Sequence, residues 1–289
     1  MITRRYLVGL ALAAACAAPA EAARADRELK ALQKRIGGRL GVHALDSQSG
    51  KRFAIDDRSR YAMASTFKLP LAAALLWQVD RGAFALERAM PVSRENLLPY
   101  SPAVEAALAA GASTMTLREL CVAIITVSDN AAANILLTGI GGPQALTTFM
   151  RNIGDETTRM DRMETALNSN LPGDPRDTTT PRAMVDSLLR IFTQDVLSIP
   201  SRALLIDWLT ASKTGLERVR AGLPKTWQAG DKTGTGENGA VNNLVVAFPQ
   251  DRRPVLVAVY MSGSQLPLAQ LNAAHAQIGA LVAGELGRD

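Results

Sequence analysis

Ser65-Thr66-Phe67-Lys68 places a hydroxyl and an amine three residues apart at the head of an apolar run. On a helix that spacing puts both side chains on one face, and a helix N-terminus favours negative charge developing beside the serine. Lys68 can take a proton there only if burial or neighbouring cations lower its pKa. A helix cap followed by a solvated lysine has the same pattern, so the pair alone decides nothing. Ser128-Asp129-Asn130 opens a second apolar run, Ala131 to Leu137, where capping is again a sufficient explanation. Lys232-Thr233-Gly234-Thr235-Gly236 ends a predicted strand, where glycines let a ligand approach the backbone. The tripeptide also occurs as Lys213-Thr214-Gly215 at a predicted helix end, with Gly215 as its C-cap. Only the later copy stands on a strand edge and continues with Thr-Gly, so the earlier one is expected to be a decoy.

These residues need a scaffold that brings them together. Arg24 to Arg35 is amphipathic and stops at Gly37-Gly38, and Leu40 to Asp46 and Lys51 to Asp56 flank a turn at Ser47 to Gly50. A helical middle follows. Thr66 to Arg81 ends at Gly82, Leu117 onward starts with a Thr116/Glu119 capping box, and Pro143 opens a helix that stops near Gly154. Thr180-Pro181 begins a helix to Thr193, and another lies around Ser201 to Ala211. Strands return at Thr226 to Thr233, Val241 to Phe248 and Pro254 to Met261, before a closing helix from Leu266 to Leu286. The expected fold is α+β: a mostly antiparallel five-stranded sheet built from both chain ends, with an all-helical lobe and a cleft between. The α/β lobe takes about 23–60 and 212–289, and the helical lobe about 61–211. Arg159 to Asp177 has weak periodicity, and an Arg162 to Asp177 ion pair would close it as an Ω-loop.

Composition restricts the chemistry. With 289 residues, 47% hydrophobic and 20% charged, the chain is an ordinary globular protein. Its 2 His and 2 Cys cannot fill a multi-histidine or cysteine-rich metal site, so no metal is expected; no cofactor is expected either. His43 and His275 fall in a predicted hairpin and helix, which disfavours a histidine triad. The net charge of +5 is spread without a Lys/Arg run and aromatics are few, which argues against nucleic acid and leaves a small anionic substrate compatible. Arg4 and Arg5 before the apolar run Leu7 to Ala20, then Glu21-Ala22, read as an export signal over residues 1–22. That run is too short to span a bilayer. The product is expected in the periplasm as a monomer, by the general or the twin-arginine route, with lipidation at Cys16 the lesser reading. After cleavage only Cys121 remains, a buried apolar residue rather than a reactive thiol.

In this order, Ser65-x-x-Lys68, Ser128-Asp129-Asn130 and Lys232-Thr233-Gly234 resemble the signature of the penicillin-recognising serine enzymes. Glu164-Thr165-Ala166-Leu167-Asn168 is similar to the Ω-loop motif of the class A serine β-lactamases. The resemblance implies an α/β/α sandwich with flanking terminal helices and a β-lactam substrate. It makes Ser65 the nucleophile, Lys68 or Glu164 the base that takes its proton, and Ser128 the donor to the leaving nitrogen. The Ser65 and Thr235 backbone N–H groups would form the oxyanion hole. Lys232 would supply positive potential and the stronger carboxylate contact, and Asn130 would bind the acylamide. Glu164 and Asn168 would hold the deacylating water. Tyr100 would wall the cleft, Asn134 anchor the Ω-loop, and Thr233 and Thr235 bind the substrate carboxylate.

Departures bear on substrate range. Many relatives place an arginine where this chain has Val241, and Arg218 is expected to substitute for it. Ala64 and Gly236 lack the cysteine pair of many carbapenem-hydrolysing members, so carbapenemase activity is not supported, while Thr235 points toward cephalosporins. The rivals are a penicillin-binding D,D-peptidase, an esterase of the same fold, and a non-hydrolysing β-lactam sensor. Glu164 and Asn168 speak against the peptidase.

Overall fold

Both ends of the chain meet in one sheet. The computed structural model describes residues 24–287, and the export segment expected over residues 1–22, Cys16 included, lies outside them. In order, the elements are α1 (residues 24–36), β1 (Arg39–Asp46), β2 (Arg52–Ile55), β3 (Tyr61–Ala62), α2 (Lys68–Asp80), β4 (Ala89–Pro91) and α3 (Pro102–Ala109). Next come β5 (Thr114–Thr116), α4 (Leu117–Thr126), α5 (Asn130–Ile140), α6 (Pro143–Asn152), β6 (Thr178–Thr179), α7 (Pro181–Thr193) and α8 (Ile199–Thr210). β7 (Gln228–Thr235), β8 (Val241–Phe248), β9 (Val255–Ser262) and α9 (Leu268–Leu286) close the fold.

The main sheet has the order β2-β1-β9-β8-β7 with every neighbour antiparallel. β8 and β9 are buried along nearly their whole length, which is why they read as continuous Val/Leu runs rather than alternating ones. Leu29, Leu32 and Ile36 of α1 and Ile278 of α9 share a core with Val42 and Val257. A larger core on the helical side surrounds α2, whose first nine residues are all buried. A helix covered all round has no polar face, so its amphipathic signal vanishes. β7 is an edge strand, and its unpaired edge borders the cleft.

Several boundaries differ from expectation. β7 starts and ends two residues later than the sequence pattern gave, which puts Lys232 to Thr235 inside the strand. α3 and the short ladders β3–β6 and β4–β5 carry too few residues to show a period. The β3–β6 ladder pairs Tyr61 with Thr179 and Ala62 with Thr178, which fixes the approach to Ser65 against the end of the Ω-loop.

Candidate active site

Ser65 is not a helix cap. It lies in a 3-10 turn, Ala64–Phe67, that leads into α2, and neither segment receives a side-chain cap bond. Ala64 has φ +43, a left-handed conformation costly for a residue with a Cβ. Its neighbours hold the turn in place: Asn242 Nδ2 donates to the Ala62 and Met63 carbonyls at 2.9 and 3.1 Å. Lys68 Nζ lies 2.9 Å from Ser65 Oγ, 2.9 Å from the Ser128 carbonyl, 2.6 Å from Asn130 Oδ1 and 2.9 Å from Glu164 Oε1. When the amine is neutral, its lone pair faces the Ser65 hydroxyl at 2.9 Å, while the Ser128 hydroxyl lies farther off at 3.4 Å. Burial lowers the Lys68 pKa and Glu164 partly opposes that shift.

Ser-Asp-Asn divides its labour. Asp129 in the middle is the cap: its carboxylate accepts from Ala132 N at 2.8 Å, and from Ala103 N and Val104 N at 2.8 and 3.1 Å at the head of α3. That frees Ser128 and Asn130 to face the cleft. Ser128 has φ +61, and its Oγ accepts from Lys232 Nζ at 3.0 Å. Asn130 Nδ2 donates to the Pro99 carbonyl at 2.8 Å, while Asn130 N donates to the Tyr100 carbonyl at 3.0 Å. Lys232 is fully buried, and burial followed by repulsion from Lys68 pushes its pKa well down.

The Ω-loop is closed as expected, with Arg162 Nε 2.5 Å from Asp177 Oδ2. Asp177 Oδ1 also accepts from the Asp161 and Arg162 backbone N–H groups at 2.7 and 2.9 Å. Asn134 clamps Glu164 with both ends of its amide: Nδ2 donates to the Glu164 carbonyl at 2.9 Å and Oδ1 accepts from Glu164 N at 2.9 Å. Glu164 Oε1 accepts from Ser65 Oγ at 3.3 Å, and Oε2 accepts from Asn168 Nδ2 at 2.7 Å. Asn168 Oδ1 is buried with no hydrogen-bond partner among the described residues.

β7 forms the opposite wall. A Cβ on Gly234 would lie 2.8 Å from the Met63 carbonyl oxygen and 3.1 Å from Thr66 N, so only glycine lets the strand touch the turn that carries Ser65. Gly236 N donates to Ala240 O at 2.9 Å toward β8. Backbone alternation then directs Thr235 N–H to the free edge. The cleft encloses about 310 Å³, and Ser65, Tyr100, Ser128, Asn130, Asn168, Thr214, Arg218, Thr233 and Thr235 line it. Tyr100 is 62% exposed at its rim rather than packed in a core.

Arg218 reaches the place expected of it. Its guanidinium donates to Thr235 Oγ1 at 2.7 Å, Gly234 O at 3.1 Å and Asn242 O at 2.6 Å, and burial pushes its pKa down to about 10. Lys232 Nζ sits behind Ser128, 3.0 Å from its Oγ, so two buried cations, Lys232 and Arg218, stand beside the cleft.

Two readings of the earlier Lys-Thr-Gly are corrected. Thr214 is no decoy: it lines the cleft and accepts from Thr233 Oγ1 at 2.7 Å. Gly215 is not a C-cap, since α8 ends at Thr210; a Cβ there would sit 1.6 Å from Asp231 Oδ2. Duplication of the tripeptide in the sequence was the only signal for Thr214. His43 and His275 are buried away from the cleft, beside Asp57 and the Val241 carbonyl. Among the described residues no group of three or more His, Cys, Asp or Glu is placed to hold a metal ion.

The Beta-lactamase enzyme family matches residues 24–286. Beta-lactamase FAR-1 of Nocardia farcinica is 44% identical over 81% of this chain and 74% of its own length. The carbapenem-hydrolyzing beta-lactamase KPC of Klebsiella oxytoca is also 44% identical, over 79% of this chain and 78% of its own. Among solved structures, the ancestral (GNCA) class A β-lactamase aligns with TM-score 0.87 and 50% identity, covering 89% of this chain and 98% of that one. The putative class A β-lactamase PenP of Rhodopseudomonas palustris aligns with TM-score 0.86 and 47% identity, over 92% and 99%. With a serine, two buried amines and a clamped carboxylate converging on one cleft, and with these relatives spanning nearly the whole described chain, this protein belongs to the class A serine β-lactamases.

Proposed function

We propose that the enzyme hydrolyses penicillins and cephalosporins through an ester on Ser65, and that the residues of the cleft divide the work as follows. Ser65 Oγ attacks the lactam carbonyl while its proton passes to Lys68 or Glu164. These two lie 2.9 Å apart, so a proton accepted by either belongs to the same coupled pair. The Ser65 and Thr235 N–H groups stabilise the oxyanion, a contribution of about 3 kcal/mol per donor. As the carbon–nitrogen bond breaks, Ser128 gives its proton to the nitrogen, and Lys232, 3.0 Å from Ser128 Oγ, favours the transient alkoxide, which takes up the proton that left Ser65 by way of Lys68 Nζ, 3.4 Å away. Thr233, Thr235, Thr214 and Arg218 hold the substrate carboxylate, Asn130 its acylamide, and Tyr100 flanks it. In the second half, water loses a proton to Glu164, attacks the ester, and Ser65 recovers its proton as the acyl bond breaks. A water has two hydrogens to place. The Glu164 carboxylate and the unpaired Asn168 Oδ1 are the acceptors for them.

The observation that carries this reading is the contact of Glu164 with both Ser65 and Lys68. The proposal stops short of carbapenems: a Cβ at Gly236 would lie 3.5 Å from that of Ala64, a disulfide spacing, yet neither residue carries sulfur. Export to the periplasm and action as a monomer, without a nucleic-acid partner, complete the proposal; the paired arginines, the apolar run of the first 22 residues and the dispersed basic charge support it. No helix among the described residues is long and apolar enough to cross a membrane.

The test uses a chromogenic cephalosporin. The purified enzyme should complete many turnovers, Ser65→Ala should lower the rate on the order of 10⁶-fold, and Glu164→Ala should accumulate a covalent adduct visible by intact mass. A single burst equal to the enzyme concentration in the unaltered protein would instead point to a peptidase or a sensor.

A further inference from the structure

A second cavity, of about 360 Å³, lies behind the Ω-loop and shares no lining residue with the catalytic cleft. Four guanidinium groups border it, Arg39, Arg60, Arg162 and Arg176, against one carboxylate, Asp174. Asp174 accepts from the Arg176 guanidinium at 2.9, 3.2 and 2.8 Å and from the Arg176 backbone N–H at 3.0 Å, and lies 3.6 Å from Arg162. Arg162 is further matched by Asp177, outside the cavity. Arg39 is paired only loosely, 3.4 Å from Asp56. Arg60 has no carboxylate within ion-pair distance among the described residues; its Nη1 donates to the Thr157 carbonyl at 2.9 Å and Thr178 Oγ1 at 3.0 Å. Positive charge thus exceeds negative charge in a space of ligand size. Planar guanidinium donors favour tetrahedral oxyanions, which they bind in pairs of parallel hydrogen bonds.

We propose that this cavity binds a small tetrahedral dianion, inorganic phosphate or a phosphomonoester, between Arg39 and Arg60 on one side and Arg176 of the Ω-loop on the other. Such a ligand ties the Ω-loop segment 170–176 to β1 and to the chain before β3. It also sits against Asn170, whose Nδ2 already donates to Asn238 O at 2.9 Å and Ser262 Oγ at 3.0 Å. Binding therefore stabilises the folded state by mass action. It requires neither the catalytic serine nor a β-lactam.

Phosphate and glycerol 3-phosphate are titrated into the folded protein at constant ionic strength, with thermal unfolding as the readout, and crystals soaked in selenate locate the site by anomalous scattering. The soak is needed because Arg218 offers an anion a second place, in the cleft. The expected results are a selenate peak between Arg60 and Arg176 and a saturable rise in Tm, with affinity at least five-fold weaker in Arg60→Gln. Arg176→Gln, at a half-exposed side chain, should weaken it likewise and serves if Arg60→Gln fails to fold. Equal binding of both compounds supports the monoester, and binding of phosphate alone supports the free ion. Selenate in the catalytic cleft only or nowhere, a shift matched by chloride, or unchanged affinity in Arg176→Gln overturns the proposal.

Discussion

The Ω-loop and the α4–α5 pair each deliver reacting groups to the same cleft, but they are held in place by different forces. Ser128, in the short connection between α4 and α5, and Asn130, at the head of α5, are held by helices whose buried side chains, among them Leu120, Ile124, Leu136 and Leu137, are fully covered by the helical core. Glu164 and Asn168 ride on a segment with little regular structure, where Met160 and Leu167 are the buried apolar side chains. Directional polar bonds do the rest, through Asp177, Asn134 and Asn170. Packing is shared over many weak contacts, and losing one leaves the others. A polar clamp concentrates position in a few bonds, so one substitution can unseat the group it holds. In the proposed mechanism the second chemical step, which is assigned to Glu164, is therefore the more fragile one.

Three measurements bear on this contrast, and a fourth on the acid stability of the fold. The largest effect is expected for Glu164→Gln, which keeps the shape of the side chain and removes its basicity. Deacylation should slow by roughly 10³-fold or more while an ester still forms, read from burst kinetics and mass; equal slowing of both steps would erase the distinction. Asp177→Asn weakens the charge that closes the loop and should cost about 3 kcal/mol, with deacylation suffering more than acylation in stopped-flow traces. In contrast, Leu136→Ala in α5 should lower stability by about 3 kcal/mol through its cavity, measured by denaturant unfolding, and leave the ratio of the two steps unchanged in the folded fraction.

The smallest effect concerns pH. Burial, with Arg218 nearby, pushes His275 down to about 3, so its imidazole is neutral in the folded protein. An unfolded histidine titrates near 6.5. Between these values the unfolded chain binds more protons, so the stability present above pH 6.5 is lost as pH falls, by about 2 to 3 kcal/mol near pH 4.5. His275→Gln should flatten that acid limb in unfolding curves recorded at several pH values, and an unchanged limb would assign it to other groups.

The elements most legible in the sequence were those whose physics is local. The Thr116/Glu119 capping box forms as read, with Glu119 N donating to Thr116 Oγ1 at 3.2 Å. Gly37 and Gly82 take the positive φ that ends a helix. β8 kept its expected bounds because a buried strand needs only its Val/Leu run. What could not be read depended on distant partners. The role of Asp129 required α3, which its carboxylate also caps, and the role of Gly215 required Asp231 arriving from β7. Thr214 looked redundant until Thr233 was placed beside it.

The order and spacing of Ser65, Lys68, Ser128, Asn130, Glu164 and Lys232 are properties of the chain, and so are the helices and strands that carry them, because hydrophobic period, caps and glycines act within a few residues. Tertiary structure decided the electrostatics. Two lysines lose their water and face one another around Ser128, a carboxylate is brought within 2.9 Å of one of them, and an arginine is buried against the sheet edge. Burial and charge proximity set protonation, and both arise only when segments up to about 170 residues apart share one small, dry volume.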